Sequence, residues 1–220
     1  DVQMRRLGLS ATLVCGILIV ATHDALGAAR VHLSWDACPS ALDDIEVAPG
    51  DGCRIALWVT GQEEPQRGYA ARLVLVAGSG AFPDAWRFDE GGCQPEGMVA
   101  IYPFGPPTPT TGCRSLFSGG ANPSWAAQFS YDPLDSHAYI DVTVDYGSVS
   151  GAPNPTSSYW LIHAIFDHFY SAAGSSGSGT CGGVTESICV RMQHGYYVSE
   201  DGSHVDWSSE DDILHSGLVG

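Results

Sequence analysis

Hydrophobic and polar positions alternate with a period of two along much of this chain. The cleanest case is Ala138 to Tyr146. Tyr139, Asp141, Thr143 and Asp145 fall on one face there, and Ile140, Val142, Val144 and Tyr146 on the other. Successive side chains of a strand point to opposite faces, so this spacing predicts a half-buried strand. Val31 to Trp35 alternates in the same way. Ile55 to Val59, Met98 to Tyr102, Trp125 to Tyr131 and Ile188 to Val198 are further short β-rich runs. Arg72 to Ala77 is almost continuously apolar, which predicts a strand buried on both faces. Tyr159 to Tyr170 (YWLIHAIFDHFY) is the one place where a helix competes. Its aromatic and β-branched content, with Pro155 and Gly174 beside it, favours a strand.

Glycine and proline supply 40 residues, spread between these runs rather than gathered in one block. Turn signals therefore separate eight or nine short strands, and no segment carries a capped 3.6-residue apolar period. The fold class implied is all-β: an antiparallel β-sandwich with disulfide-stapled loops. Two loops are long. Pro103 to Pro109 (PFGPPTP) reads as extended, polyproline-like chain, and Ser171 to Thr180 (SAAGSSGSGT) as a flexible Gly/Ser loop. There is no internal repeat.

The first 27 residues read differently. Met4-Arg5-Arg6 forms a basic start, Leu7 to Thr22 an apolar run, and Ala25-Leu26-Gly27 a small-residue cleavage signal. That is a secretory signal peptide, with cleavage expected after Gly27 or, next to it, after Ala28. The apolar run is short of the ~20 residues that span a bilayer, and no basic stop-transfer flank comes after it. The organisation expected is residues 1–27 as signal peptide with upstream residues and 28–220 as a single β-sandwich domain. Export to the periplasm, the cell surface or the medium is expected, with no membrane span after cleavage.

Charge narrows the partners. Residues 28–220 hold seven arginines, no lysine and 23 acids, for a balance of −16. A nucleic acid or an anionic membrane would be repelled. A basic partner or a divalent cation would not.

After cleavage six cysteines remain: Cys38, Cys53, Cys93, Cys113, Cys181 and Cys189. An even count in an exported chain reads as a disulfide framework. Six cysteines allow fifteen pairings; proximity along the chain favours Cys38–Cys53, Cys93–Cys113 and Cys181–Cys189. No Cys-x-x-Cys pair exists, which argues against zinc.

Four blocks carry a family resemblance. They are Val31-His32-Leu33-Ser34-Trp35-Asp36-Ala37-Cys38, Pro83 to Phe88 followed by Gly91-Gly92-Cys93, Thr180 to Gly183 running to Ile188-Cys189-Val190, and the late Trp207. Together they resemble a group of uncharacterised exported bacterial β-sandwich proteins, cohesin-like or immunoglobulin-like in fold. The resemblance implies a Cys181–Cys189 pair. It implies no activity, because its motifs are structural.

Candidate chemistry is sparse. Asp43, Asp44, Glu46 and Asp51 cluster in one acidic loop and could offer oxygen ligands to calcium, although no EF-hand pattern is present. The histidines lack a His-Glu-x-x-His motif, and His163 and His168, five apart, would point to opposite faces of a strand. No nucleophile elbow or phosphate loop occurs. Among six tryptophans, Trp86 beside Arg87 and Trp207 in a polar loop are the expected exposed ligand contacts. The reading is an exported, non-enzymatic module with a structural, adhesive or protein-interaction role. Protein or polysaccharide at the cell exterior is the expected partner, and no cofactor is expected beyond calcium. A calcium-assisted carbohydrate-binding module is the alternative, and a secreted hydrolase the third reading.

Overall fold

The computed structural model describes residues 29–35, 38–39, 42, 44–78, 80–101, 112–116, 124–147, 151–169, 181–209 and 213–216. The leader and both long loops expected from the sequence lie outside the described residues. The chain is all-β. Its strands are β1 (Arg30–Trp35), β2 (Asp44–Ile45), β3 (Gly52–Thr60), β4 (Gln66–Ala77), β5 (Met98–Ile101), β6 (Arg114–Ser115), β7 (Ser124–Asp132), β8 (His137–Asp145), β9 (Tyr159–Asp167), β10 (Ile188–Ser199), β11 (His204–Asp206), β12 (Ser208–Ser209) and β13 (Ile213–Ser216). A short 3₁₀ turn, Asp84–Trp86, lies between β4 and β5.

Two sheets stack. The first has the order β12-β1-β3-β9-β5, with β6 also on β9; the second has the order β2-β13-β10-β4-β8-β7, with β11 on β10. All long pairings are antiparallel, including β1–β3, β3–β9, β4–β8, β4–β10 and β7–β8. The alternation seen in the sequence explains the core. Val31, Leu33 and Trp35 of β1 face inward with Ile55, Leu57 and Val59 of β3. They meet Tyr69, Ala71, Leu73 and Leu75 of β4 and Ile140, Val142 and Val144 of β8. Removing such side chains from water stabilises the fold by roughly 1.5–3 kcal/mol each. The segment from Tyr159 is a strand, β9, as its composition favoured.

The pairing of β9 with β3 carries one irregularity. Leu57 pairs with Ile162, but its neighbour Trp58 pairs with Trp160, so Leu161 is an extra residue. This bulge lets Leu161 and Ile162 both enter the core, where they are 0% and 1% exposed. It also brings Trp160 and His163 to the same outer face, which an unbroken period of two would forbid.

The cysteine pairing corrects the expectation. The disulfides are Cys38–Cys113 and Cys93–Cys181. None of Cys38–Cys53, Cys93–Cys113 and Cys181–Cys189 forms, and Cys53 and Cys189 remain thiols. The reason is the pleat. Cys53 points from β3 into the core, whereas Cys38 lies in a separate cluster with Ala56 and Trp58 of the same sheet's other face. Cys189 alternates with the inward Ile188 and Val190, while Cys181 belongs to the core. Neighbours in sequence are thus held on opposite sides of a sheet.

Candidate binding face

The outer faces of the two sheets are built differently. On the first, β1 contributes His32 and Ser34, β3 contributes Ala56 and Trp58, and β9 contributes Trp160 and His163. Trp58 and Trp160 are buried there with the Cys38–Cys113 disulfide and Ala56 in a small second core. Trp58 Nε1 donates to Ser34 Oγ at 3.2 Å, and the His32 ring stacks on Trp58 at 4.2 Å. His32 Nε2 lies 2.9 Å from Thr60 Oγ1. The His163 ring meets Trp160 edge-on at 3.5 Å. Burial pushes His163 down to about 4, and the Arg54 cation adds to the shift. The middle of this face is closed, while Arg54 of β3 and Val99 of β5 stay exposed beside it.

The second sheet presents a different surface. Across β10, β4, β8 and β7 run the rows Tyr196, Ala70, Thr143, Ala126 and Val198, Gly68, Asp145, Ser124. Thr143, Asp145, Ser124 and Ala126 are exposed. The small residues Gly68, Ala70 and Ala126 leave a groove of about 490 Å³, lined also by Tyr196, Trp125 and Arg67. Gly68 is required there, since a Cβ would collide with the Val144 carbonyl oxygen of β8. Tyr196 is braced by His204, stacked at 4.5 Å. In the next row Arg72 donates to both Asp141 oxygens at 2.6 and 2.8 Å, and its guanidinium lies 5.5 Å from the Tyr139 ring centre. That hydrogen bond to Asp141 holds Arg72 above its ordinary pKa, although burial opposes it. An ion pair this exposed is worth at most about 1 kcal/mol and orders the face rather than stabilising the fold.

The two expected ligand-contact tryptophans are not on this face. Trp86 is 0% exposed, because the 3₁₀ turn folds it over one end of the sandwich against Phe166 and His168. Trp207 is 6% exposed and packs on Tyr69 and Tyr197. Gly195 makes room for it: a Cβ there would lie 2.9 Å from the Trp207 ring. The exposed tryptophan is Trp125, at 43%. It opens the WAAQFSY run, where parity groups it with Ala127, Phe129 and Tyr131. Only its position on an edge strand exposes it, and period-two spacing does not reveal edges.

Asp44, Glu46 and Asp51 are exposed, and Asp43 lies outside the described residues. Among the described residues no group of three or more His, Cys, Asp or Glu is placed to hold a metal ion. Several acids instead fold turns. Asp201 accepts from Ser199 Oγ and the Ser203 amide, and these bonds hold its carboxyl down to about 2. Asp132 and Asp145 accept the amides of Leu134 and Gly147 in the same way.

One arrangement that spacing could not reveal lies in the core. Cys53 Sγ is 3.8 Å from His168 Nε2. His168 Nδ1 donates to the Ala85 carbonyl at 2.9 Å, and Gln94 Nε2 donates to the same oxygen at 2.8 Å. The tautomer is thereby set, with Nε2 left to accept from the thiol. A thiol, a base and an orienting group are the parts of a nucleophilic site. Here Cys53 is 4% and His168 0% exposed, and burial pushes His168 down to about 4. No substrate reaches the sulfur, and so weak a base does not take its proton. The pair fills the core.

No family model matches the chain, and no curated relative matches it. Among solved structures it is similar to a non-cellulosomal cohesin from the hyperthermophilic archaeon Archaeoglobus fulgidus. The identity is 11%, the match covers 87% of this chain and 92% of that one, and the TM-score is 0.40. It is also similar to a cohesin module from a family 33 glycoside hydrolase of Clostridium perfringens, at 8% identity, 85% and 96% coverage and a TM-score of 0.39. A type II cohesin domain from the cellulosome of Acetivibrio cellulolyticus gives 8%, 85%, 95% and 0.40.

Proposed function

We propose that this chain is an exported, non-enzymatic binding module that docks a protein partner on the outer face of its second sheet. The observation that carries the reading is the contrast between the two faces. The middle of the first sheet's outer face is covered by tryptophans and a disulfide, whereas the second leaves exposed polar residues around a groove. Two disulfides suit an oxidising compartment, which supports export. The −16 charge favours a basic partner. Among the described residues no helix is long and apolar enough to cross a membrane.

The test is photo-crosslinking in the native setting. A crosslinking residue at Thr143 is expected to give one discrete polypeptide adduct, competed away by unlabelled protein. The same residue at Thr156, in the turn before β9, is expected to give none. Absence of any saturable polypeptide adduct at Thr143 overturns the proposal. A second reading, carbohydrate binding with or without calcium, is favoured by two partly or fully exposed aromatics at the groove, Trp125 and Tyr196. Saturable binding on a glycan array, run with calcium and with chelator and lost in Trp125→Ala, would put that reading first.

A further inference from the structure

A sheet edge, unlike a sheet face, dictates the conformation of what binds it: only an extended backbone can continue the ladder. The edges of this sandwich are unequal. β2, β6 and β12 have two residues each and β5 has four. β7 has nine, SWAAQFSYD. It pairs with β8 in unbroken register from Ser124↔Asp145 to Asp132↔His137, and among the described residues it pairs with no other strand. Edge strands are normally blunted by brevity, a charge, a proline or a bulge. β7 has no bulge, no proline, no glycine and no charge before Asp132. It also carries Trp125, at 43% the most exposed of six tryptophans, while the other five are 8% exposed or less.

We infer that β7 is a docking strand, to which a partner protein adds an extended segment with basic ends and an uncharged middle. The inference rests on the reading that the second sheet binds protein, and it names the mode and the chemistry of the partner. The uncharged middle matches the charge-free run Ser124 to Tyr131. The basic ends match the acids at both ends of the edge: Asp145 lies opposite Ser124, and Asp132 and Asp135 close the other end. A second copy of this chain fits poorly, since it would bring the same acids and the same −16 against them. Trp125, beside the groove, offers the added segment an apolar contact.

The test uses the full chain and three synthetic peptides. These are acetyl-Lys-Val-Thr-Val-Thr-Val-Lys-amide, the same peptide N-methylated at alternate residues, and a version with glutamate in place of both lysines. Trp125 fluorescence reads binding, and amide hydrogen exchange reads its place. The lysine peptide is expected to bind saturably and to slow exchange of β7 amides by at least about ten-fold, and N-methylation to weaken binding by a similar factor. The glutamate version is expected to bind more weakly still at low salt. Protection on another strand, undiminished binding after N-methylation, no binding, or β7 protection that grows with protein concentration alone each overturns the inference. If the Thr143 crosslink captures a protein whose complex leaves β7 amides unprotected, strand addition fails while face docking stands. A glycan that shields Trp125 without protecting β7 counts against both.

Discussion

The two outer faces obey the same pleat and end in opposite states. On the first sheet the outward positions include His32, Ser34, Ala56, Trp58, Trp160 and His163, with Arg54 and Val99 exposed beside them. On the second they include Gly68, Ala70, Arg72, Ala126, Thr143 and Asp145. Aromatic outward residues can be covered at a gain, and the Cys38–Cys113 bridge lies on two of them. The Arg72–Asp141 pair cannot be covered cheaply, because desolvating two charges costs several kcal/mol per ion before their attraction offsets it. An outward position therefore does not make a residue a surface residue. What decides is whether that part of the face could lose its water, and the tryptophans in the middle of one sheet and the Arg72–Asp141 pair of the other settle that in opposite directions.

The largest expected effect comes from opening the closed face. In a chain-entropy treatment, a bridge spanning 75 residues, as Cys38–Cys113 does, stabilises by about 4–5 kcal/mol. The double variant Cys38→Ser, Cys113→Ser should lower the thermal midpoint by roughly 10–18 °C for a domain of this size. Calorimetry checks it, with the lysine peptide's affinity as the second readout. A midpoint within about 2 °C of the parent would show that the bridge does not hold this face shut. A large loss of peptide affinity would show that the two faces are not independent.

Much of this contrast was legible in the sequence, and the missing part has a common cause. Each of the eight runs singled out in the sequence contains a strand, and the parity of Ala138 to Tyr146 correctly assigns Thr143 to the water and Val142 to the core. Lateral order is not written locally. The pairing Cys38–Cys113 joins residues 75 apart, and chain proximity pointed instead to Cys53, on the wrong side of β3. Trp86 and Trp207 sit in polar stretches yet fold back into the core, which only tertiary packing determines. The exposed Trp125 carries an inward parity and lies at an edge that no residue of β7 announces. The Leu161 bulge likewise reverses parity midway along β9 without a glycine or proline to mark it.

Acid should strain both the core and the closed face. His168 and His163 are each held down to about 4 in the folded state, against 6.5 ordinarily, chiefly by burial. The unfolded chain therefore binds more protons between those values. The stability held above pH 6.5 is lost as pH falls from 6.5 to 4, and these groups cause no further loss below 4. For the fully buried His168 the loss amounts to about 3 kcal/mol. His163 contributes less, because it is only half-buried. Asp167 favours the protonated form of His168, while Arg54 opposes that of His163. The −16 surface is also relieved of repulsion as carboxylates protonate, so the measurement is a difference. Urea midpoints at pH 7, 5.5 and 4 should converge between the parent and His168→Gln as pH falls, and His163→Gln isolates the closed face. Parallel curves would mean that neither histidine is kept neutral by the fold.

The smallest expected change in stability is at Thr143, in the middle of the open face. Its cross-strand neighbours are Ala70 and Ala126, so a longer side chain meets no bulk on either side. Asp141 and Asp145 lie two residues away on the same face of β8, near enough for an added cation to gain a few tenths of a kcal/mol. Thr143→Arg should thus leave stability within about 0.5 kcal/mol of the parent, as for an exposed position without a special role. It should nevertheless weaken docking of a basic partner, since it places a like charge where that partner arrives. Denaturant unfolding and peptide titration on the same sample separate the two effects. A loss of stability beyond about 2 kcal/mol would mean that something in the folded chain already packs on Thr143. The second sheet would then be covered there as the first is over its tryptophans, and the difference between the faces would vanish with it.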